Sequence, residues 1–398
     1  MKKFLTIILI TAVLLTACAC SGQARSVPSP MAYPDYTFDT TPSTEQMRET
    51  AVRATRDLLT IQWTPAETIS YYNTAGRDKQ FDYKKGTAYG GVLYSGAGSG
   101  LFQYLEFYDS ETGLLSYPGD SDEIRNTIGS GCADSLLWGW STVCTSIKGG
   151  YYPSMMVYKN GYYPVGNYTY NQSIQSYYYL PTKDIINNNG EDVIMDAYTK
   201  VLPADAFISS IRDHAMMVVA EPNVVYLPDG TLDKENSYVL IQDQRGGNTA
   251  EDFFEVKEND KTVHYNGRTE FKVSFAALYK DSYIPVTCAE FLGTKEYEAA
   301  AVTTSNDTCA SIDELKNLTI ESNYPIAVIN VTAEKEDGSV TLVDKILFNG
   351  AGSNGTSKKY TLSQSKNLAG FDFSGYNSVA VEVVASTGER FNPVKFPI

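Results

Sequence analysis

Histidine is nearly absent from this chain of 398 residues, which contains only His214 and His264. Any catalyst that needs an imidazole therefore has to use one of these two residues. The six cysteines include no pair at the CxxC spacing, so the sequence offers neither a zinc-ribbon pattern nor a thiol–disulfide redox motif. We expect no metal and no cofactor.

Basic residues are also in deficit: 32 Lys and Arg stand against 47 Asp and Glu, a net charge of −15. This balance argues against binding to nucleic acid or to an anionic membrane surface by charge. A transmembrane helix needs a stretch of about 18 apolar residues. Beyond the N-terminal segment the sequence has no apolar run of that length. We expect no nucleic-acid partner and no membrane-spanning helix.

The N-terminus has a charged start, Met1-Lys2-Lys3, and then an apolar run from Phe4 to Leu15. The run ends in Leu15-Thr16-Ala17-Cys18, which resembles a bacterial lipoprotein processing box. The resemblance implies cleavage before Cys18 and lipidation of its sulfur, on the outer face of the bacterial cytoplasmic membrane. An ordinary secretory leader is the alternative.

Composition divides the chain into five parts. After the signal peptide (1–17), residues 18–42 are rich in Ser, Pro and Thr and are predicted to form a flexible tether. Residues 43–295 mix helical and strand patterns, and 296–310 are predicted to be a linker. In 311–398 short β-type runs alternate with turns, which is typical of a small all-β sandwich of Ig-like type. The expected fold class is α+β.

The segment from Gly129 to Trp140 combines a turn of small residues with an apolar helical pattern, which places Cys132 at a helix N-terminus. The positive end of a helix dipole favours the thiolate, which is the nucleophilic form of cysteine. The glycines leave room for a substrate backbone to approach. The alternative is a small, inert, buried cysteine.

His214 opens an apolar run of strand length, and a turn at Leu227–Gly230 leads to a second apolar strand. A hairpin symmetric about this turn places Asp243 opposite His214, on one face of the sheet. A slip of one residue would present Gln242 or Gln244 instead. Alternatively, His214 is an ordinary core residue. The other histidine, His264, lies in a polar segment and is predicted to sit in an exposed turn.

Taken in order, these motifs resemble the NlpC-type cell-wall peptidases, a papain-like family of cysteine hydrolases. The matching segments are Gly86-Thr87-Ala88-Tyr89-Gly90-Gly91, Cys132-Ala133-Asp134-Ser135-Leu136, Pro203-Ala204-Asp205, His214-Ala215-Met216-Met217-Val218, and Asp243. The resemblance implies a papain-like domain, in which a helix bearing the cysteine packs on an antiparallel sheet, followed by the β-sandwich.

By this resemblance Cys132 is the nucleophile, His214 is base and then acid, and Asp243 orients His214. Tyr89 and the Cys132 N–H would stabilise the oxyanion, and Gln242 and Gln244 remain candidates for the third position or for substrate contacts. The expected activity is hydrolysis of peptide amide bonds in peptidoglycan stem peptides. The alternative is a non-catalytic binding lipoprotein on a hydrolase-like scaffold. The sequence leaves open the oligomeric state and a disulfide between Cys288 and Cys309.

Overall fold

The computed structural model describes residues 25–26, 32–73, 79–117, 128–147, 161–170, 181–245, 254–258, 261–306, 308–348 and 358–398. Within these ranges the chain has a mixed α+β structure with several sheets and few helices, which agrees with the expected fold class. The predicted signal peptide and the predicted lipidation site Cys18 lie outside the described residues. No helix within the described ranges is long and apolar enough to cross a membrane.

The helices of the described residues are α1 (Thr44–Thr60), α2 (Leu101–Leu105), α3 (Cys132–Ser141), α4 (Thr182–Asn189), α5 (Glu191–Tyr198), α6 (Phe275–Lys280), α7 (Ile312–Lys316) and α8 (Lys366–Gly370). Local sequence sets the start of α1. Ser43 Oγ accepts a hydrogen bond from the Gln46 N–H, and the Gln46 side chain accepts one from the Ser43 N–H, which is a capping box.

The strands are β1 (Arg25–Ser26), β2 (Gln62–Pro65), β3 (Ile69–Asn73), β4 (Lys79–Tyr83), β5 (Ala88–Gly90), β6 (Tyr108–Asp109), β7 (Leu114–Leu115), β8 (Tyr162–Pro164), β9 (Ala206–Ser209), β10 (His214–Val218), β11 (Tyr238–Gln244), β12 (Phe254–Glu258), β13 (Lys261–Tyr265), β14 (Gly267–Ser274), β15 (Ile284–Cys288), β16 (Val302–Thr304), β17 (Thr319–Ser322), β18 (Ile326–Glu334), β19 (Val340–Leu347), β20 (Lys359–Thr361), β21 (Ser378–Ala385) and β22 (Arg390–Pro397).

Two six-stranded sheets form the larger part of the structure. The first has the order β14-β11-β10-β9-β15-β8 and is antiparallel throughout; we call it the site sheet. The second has the order β12-β13-β5-β2-β7-β6 and contains parallel pairs, β13 with β5 and β2 with β7. The hairpin of β3 and β4 stands apart from both.

All ten residues of helix α3 are buried. Helix α1 crosses it closely at Gly139, where an added Cβ would lie 2.0 Å from Thr55 Oγ1 and 2.6 Å from the Ala51 carbonyl oxygen. Only a residue without a side chain permits this approach. On the site-sheet side, Trp140 Nε1 donates a hydrogen bond of 2.7 Å to the Ala204 carbonyl. Helix α3 is therefore fixed from two sides.

A buried ion pair ties α1 to the turn before β9. Arg48 donates from one terminal nitrogen to Asp205 Oδ1 at 2.7 Å and to the Pro203 carbonyl at 2.6 Å. Its guanidinium also lies over the Phe291 ring, 4.8 Å from the centroid. Asp205 Oδ2 accepts from the Leu202 N–H at 2.8 Å, so the carboxylate closes the turn as well.

The C-terminal part of the chain forms the five-stranded sheet β1-β19-β18-β21-β22 and the three-stranded sheet β16-β17-β20. A separate cluster of buried apolar residues lies here, including Leu318, Ile329, Val331, Val381 and Phe396. The region is not built of strands alone, because it contains the five-residue helices α7 and α8. Strand β16 pairs with β17 and falls inside residues 296–310, which the sequence predicted to be a linker.

The end of the predicted tether packs against the folded chain instead of remaining free. Tyr36 is fully buried, and its hydroxyl donates to Asp57 Oδ2 at 2.9 Å. Tyr33 lies against Phe102, with ring centroids 4.7 Å apart. The prediction of a tether over 18–42 followed the Ser, Pro and Thr content. At the C-terminal end of the segment the tether prediction is wrong, because burial of these aromatic side chains stabilises a packed conformation.

Asp205→Asn should lower the free energy of unfolding by about 3 kcal/mol, because the substitution leaves the Arg48 guanidinium buried without its anion. Urea unfolding followed by circular dichroism measures the loss. Asp196→Asn is the matched control: Asp196 pairs with Lys200 on an exposed helix surface, and its loss should cost about 0.5 kcal/mol or less. Equal losses in both variants would contradict the structural role given to Asp205.

Candidate active site

Backbone hydrogen bonds hold the loop that precedes Cys132. The Ser130 N–H donates to the Leu93 carbonyl at 2.9 Å, and the Gly129 N–H donates to Ser99 Oγ at 2.7 Å. Gly129 has a φ of +103°, and a Cβ there would lie 2.4 Å from Ser95 Oγ. The space beside Gly129 is thus filled by the chain itself, so this glycine serves the packing of the loop rather than the approach of a substrate.

Cys132 is the first residue of α3, as the sequence predicts, and it is 6% exposed. The N-cap is Gly131, which has no side chain to accept hydrogen bonds from the first turn. The Gly131 N–H itself donates to Asp134 Oδ2 at 3.2 Å. Burial raises the pKa of Asp134 to about 7, against the effect of that hydrogen bond. Because Cys132 is the first residue of α3, its sulfur and N–H lie at the positive end of the helix dipole.

His214 begins β10, directly after a residue in an unusual conformation. Asp213 has a φ of +47°, in the left-handed region that non-glycine residues seldom adopt. The Cys132 sulfur lies 3.8 Å from the Asp213 carbonyl oxygen. This turn at the start of β10 therefore lies against the N-terminus of α3 and brings His214 to the cysteine.

His214 and Asp243 are in direct contact: Nε2 of the imidazole lies 2.6 Å from Asp243 Oδ2. The register that led to this pair is nevertheless wrong by two residues, because Met217 pairs with Gln242, where a symmetric hairpin would pair it with Leu240. A shift of two residues keeps every side chain on its face. Asp243 therefore reaches His214 diagonally across the two strands instead of from directly opposite.

Asp243 is a buried carboxylate that several cations surround. Arg268, its neighbour on β14, donates from Nε to Oδ1 at 3.1 Å and from a terminal nitrogen to Oδ2 at 2.8 Å. Arg245 Nε lies 3.2 Å from Oδ2. Burial alone would raise the pKa of Asp243, but hydrogen bonds from His214 and Arg268, and their charges, lower it to about 2. Asp243 is therefore an anion across the physiological pH range.

His214 is set up to carry a proton. Burial alone would lower its pKa, but the charge of Cys132 and hydrogen bonds to Asp243 and Cys132 together raise it to about 9. Because Asp243 occupies Nε2, the ring nitrogen that serves the sulfur is Nδ1. An imidazolium flanked by a carboxylate and a sulfur is the charge arrangement of an activated cysteine.

The two glutamines that the sequence left as alternatives lie elsewhere. Both are fully buried and face away from Asp243 on β11, since neighbouring side chains of a strand alternate between faces. Gln242 Nε2 donates to the Val52 carbonyl at 3.0 Å, and Gln244 Nε2 donates to the Val92 carbonyl at 2.7 Å. Both side-chain amides are hydrogen-bonded to backbone carbonyls in the core. Neither glutamine is therefore in a position to orient His214 or to contact a substrate.

Tyr89 does not occupy the position that the resemblance implies. Its ring packs against Trp63 and Tyr83 in a separate core cluster, with centroids 5.1 and 5.0 Å away. Its hydroxyl accepts a hydrogen bond of 2.9 Å from the Lys84 N–H. The cysteine loop is met by residues further along the chain, including Leu93 and Tyr94, which forms a β-bridge with Ser130.

Polar residues form a row across the site sheet, in the order Arg268, Asp243, His214, Ser209 and Tyr283, with a diagonal step from Asp243 to His214. Asp243 pairs with Arg268, and His214 pairs with Ser209. The register of β15 against β9 continues to Tyr283, directly before β15, and places it opposite Ser209. Arg268 and Tyr283 were not predicted. Strand registers bring both residues to the site, and the sequence alone does not reveal these registers.

Tyr283 is close enough to the site to respond to its charges. Burial raises the pKa of its hydroxyl, and the charges of Arg245, Asp243 and Cys132 also act on it. Among the described residues, none hydrogen-bonds to that hydroxyl, although Tyr283 is only 6% exposed. A phenol near these charged groups can donate to an oxyanion.

The second histidine and the metal-ligand residues lie away from this row. His264 is half-buried in β13, with Nδ1 3.4 Å from Glu255 Oε1, and is not in the exposed turn that the sequence predicted. Within the described ranges, one group has the spacing of metal ligands, namely Cys144, Cys288 and Glu290. It lies beyond the C-terminal end of α3, while Cys132 is at the N-terminal end.

No family model matches the chain, and the searches of curated proteins and of solved structures found no match. What the site can do therefore follows from its own geometry. It joins a thiol at a helix N-terminus, an imidazole in reach of that thiol, and a buried carboxylate that fixes the imidazole. These are the parts of a nucleophilic acyl-transfer catalyst.

Asp243→Asn should lower the pKa of His214 from about 9, because it removes the negative charge and the strong acceptor at Nε2. NMR titration of the His214 ring protons measures the change. Glu255→Gln is the matched control, because it removes the carboxylate beside His264 and should leave the His214 titration unchanged. An unaltered His214 pKa in Asp243→Asn would show that Asp243 does not govern its protonation.

Stability should depend on pH through the same pair. The folded-state pKa of His214 is raised from 6.5 to about 9, so its contribution is complete below pH 6.5 and is lost as the pH rises through 9. The pKa of Asp243 is lowered from 3.8 to about 2, so its contribution is complete above pH 3.8 and is lost as the pH falls toward 2. Urea unfolding of wild type and Asp243→Asn should therefore differ most between about pH 4 and 6.5. A difference that grows above pH 9 would contradict this.

Proposed function

We propose that this protein is an exported, lipid-anchored cysteine amidohydrolase that cleaves peptide amide bonds in peptidoglycan stem peptides. The observation that carries the proposal is the line from Cys132, at the N-terminus of α3, through His214 to Asp243, whose Oδ2 lies 2.6 Å from the imidazole. In this proposal residues 43–295 form a papain-like domain of NlpC type, and residues 311–398 form a β-sandwich domain.

The chemistry follows from the order of the three groups. The Cys132 sulfur attacks the amide carbonyl carbon, and the protonated His214 gives its proton to the leaving amine as the C–N bond breaks. Water then attacks the thioester carbon while His214 accepts its proton, and the C–S bond breaks, which releases the carboxylic acid and restores the Cys132 thiolate beside the protonated His214. Asp243 remains ionised throughout and holds Nε2, so that Nδ1 faces the sulfur.

The tetrahedral intermediate needs donors for its oxyanion. The Cys132 N–H is the first donor, because it lies in the first turn of α3, where the N-cap Gly131 offers no side-chain acceptor. Tyr283, rather than Tyr89, is the side-chain candidate for the second, because the charge of Cys132 acts on the pKa of its hydroxyl. Tyr89 is engaged by the Lys84 N–H.

The choice of substrate and location rests on the sequence. The leader and the processing box at Cys18 support export and attachment to the membrane by lipid, and stem-peptide amides lie outside that membrane. The order of the motifs supports the NlpC type. The acidic balance of the chain fits a soluble, exported enzyme with a peptide substrate rather than a nucleic acid.

Alkylation of Cys132 tests the activated thiol without a substrate. In the folded mature protein, iodoacetamide should label Cys132 rapidly well below pH ~8.5, the pKa of a free thiol, and His214→Ala should slow this labelling. Mass spectrometry assigns the labelled cysteine, and His264→Ala is the matched control, expected to leave the rate unchanged. Slow labelling, or equal rates in wild type and His214→Ala, would favour the non-catalytic binding lipoprotein.

Hydrolysis itself is measured as amino groups released from purified peptidoglycan fragments by the mature protein. Cys132→Ala should reduce the rate by roughly 10³-fold or more, because it removes the nucleophile. Cys309→Ala removes a buried cysteine of the C-terminal cluster and should leave the rate unchanged. Release of amines at the wild-type rate by Cys132→Ala would exclude the proposed mechanism.

A further inference from the structure

Two cysteines that the proposed mechanism does not use lie side by side in the core. The sulfurs of Cys144 and Cys288 are 3.2 Å apart, and both residues are buried. Cys144 follows the C-terminal end of α3, and Cys288 is the last residue of β15. We propose that these thiols are oxidised to a disulfide that ties α3 to the site sheet.

Geometry favours this bond. A disulfide has a sulfur–sulfur distance of about 2.05 Å, so the two sulfurs have to approach by only about 1 Å. Both cysteines lie at the ends of regular elements whose positions the core fixes. Burial and the neighbouring Cys288 raise the pKa of the Cys144 thiol, which makes exchange slow once the chain has folded. The bond therefore forms during folding, while the sulfurs are still accessible.

A metal ion is the competing occupant, because Glu290 offers a third ligand within 4.8 Å of the sulfurs. The Glu290 carboxylate is already used: Oε1 accepts from the N–H groups of Thr145 and Ser146 at 3.0 and 2.8 Å. Two ammonium groups are also near, since Lys295 Nζ is 4.0 Å from Oε1 and Lys358 Nζ donates to the Thr145 carbonyl at 3.0 Å. Their positive charge opposes a divalent cation and leaves the disulfide as the favoured state.

The sequence left open a disulfide between Cys288 and Cys309, and the proposed bond gives Cys288 a different partner, Cys144. Cys309 is buried in the cluster of the C-terminal sheets, whereas the Cys288 sulfur lies against Cys144. The proposed bond spans 144 positions of the chain and encloses His214 and Asp243 within its loop. A loop of this length restricts the unfolded chain strongly, so oxidation should stabilise the fold that carries the candidate site.

The oxidant is the disulfide of a small thiol or of a thiol oxidoreductase. One cysteine thiolate attacks this disulfide, forming a mixed disulfide and releasing the first thiolate. The second cysteine thiolate attacks the bonded cysteine sulfur and releases the second thiolate. Two protein thiols are thereby oxidised, the oxidant is reduced to two thiols, and the two protons pass to the departing thiolates.

The test uses the full mature chain, refolded with glutathione disulfide, in wild type and in Cys132→Ala, which removes the reactive thiol that could reshuffle bonds. Remaining thiols are alkylated under denaturing conditions, and peptides are mapped by mass spectrometry without reduction. We expect a linked Cys144–Cys288 peptide as the major product and an alkylated Cys309. Full alkylation of both Cys144 and Cys288 after oxidative refolding would overturn the proposal.

Stability gives a second readout. The urea midpoint of the oxidised protein should fall on reduction, and Cys309→Ser, the matched control, should keep both the bond and this difference. If Cys144→Ser and Cys288→Ser fail to fold, the peptide map of the wild type still decides. Protection of the two thiols by added zinc, reversed by a chelator, would show a metal site and reject the disulfide. None of these outcomes depends on hydrolytic activity.

Discussion

The complete burial of α3 is the constraint on which the rest of the structure depends. A helix with no exposed face needs partners all around it, and it finds them in α1, in the site sheet and in the C-terminal strands. The close crossing at Gly139 sets how deeply α1 can seat. Since the helix cannot tilt or slide without opening this packing, the position of Cys132 at its N-terminus is fixed by the core.

Charge in the site sheet follows a second constraint, which is that a buried anion must be fully compensated. Asp243 meets it with hydrogen bonds from His214 and from Nε and one terminal nitrogen of Arg268, and the Arg268 guanidinium in turn lies 3.3 Å from the centroid of the Phe271 ring. Such a cluster gives little net stability compared with apolar packing. What it gives is a fixed orientation and a fixed protonation state for one imidazole, which a solvent-exposed pair would not maintain.

Local signals predicted well the parts of the fold that depend on local interactions. The Ser43 cap, the helix that starts at Cys132 and the strand that starts at His214 are all where the sequence places them. Asp243 was reached through an incorrect register, because the hairpin is asymmetric. Two residues separate the bridged Asn223 and Tyr226, but five separate Leu232 from Tyr238. Further along the strands the net register, Met217 with Gln242, differs from the symmetric one by two residues, so the face is unchanged.

The errors concern contacts between distant parts of the chain. Tyr89 lies in an aromatic cluster assembled from three separate segments, and Arg268 reaches Asp243 only through the pairing of β14 with β11. No pattern within one segment encodes either contact. The packed end of the tether is a different case, because its composition suggested a flexible chain, while its few aromatic side chains found a place in the core.

Two turns of the C-terminal region contact the end of α3 that lies opposite Cys132. Ser386 Oγ donates a hydrogen bond of 2.6 Å to the carbonyl of Ser141, the last residue of α3, and the Tyr324 hydroxyl lies 3.3 Å from the Val143 carbonyl. The first of these contacts joins residues 245 positions apart. A chain that emerges from the ribosome or an export channel N-terminus first exposes Cys132 and His214 long before Ser386 follows. The Ser141 carbonyl at the end of α3 then lacks this partner, so the helix gains its full support only after Ser386 has emerged. The Cys132 thiol thereby reaches its final setting only after the C-terminal region has packed against α3.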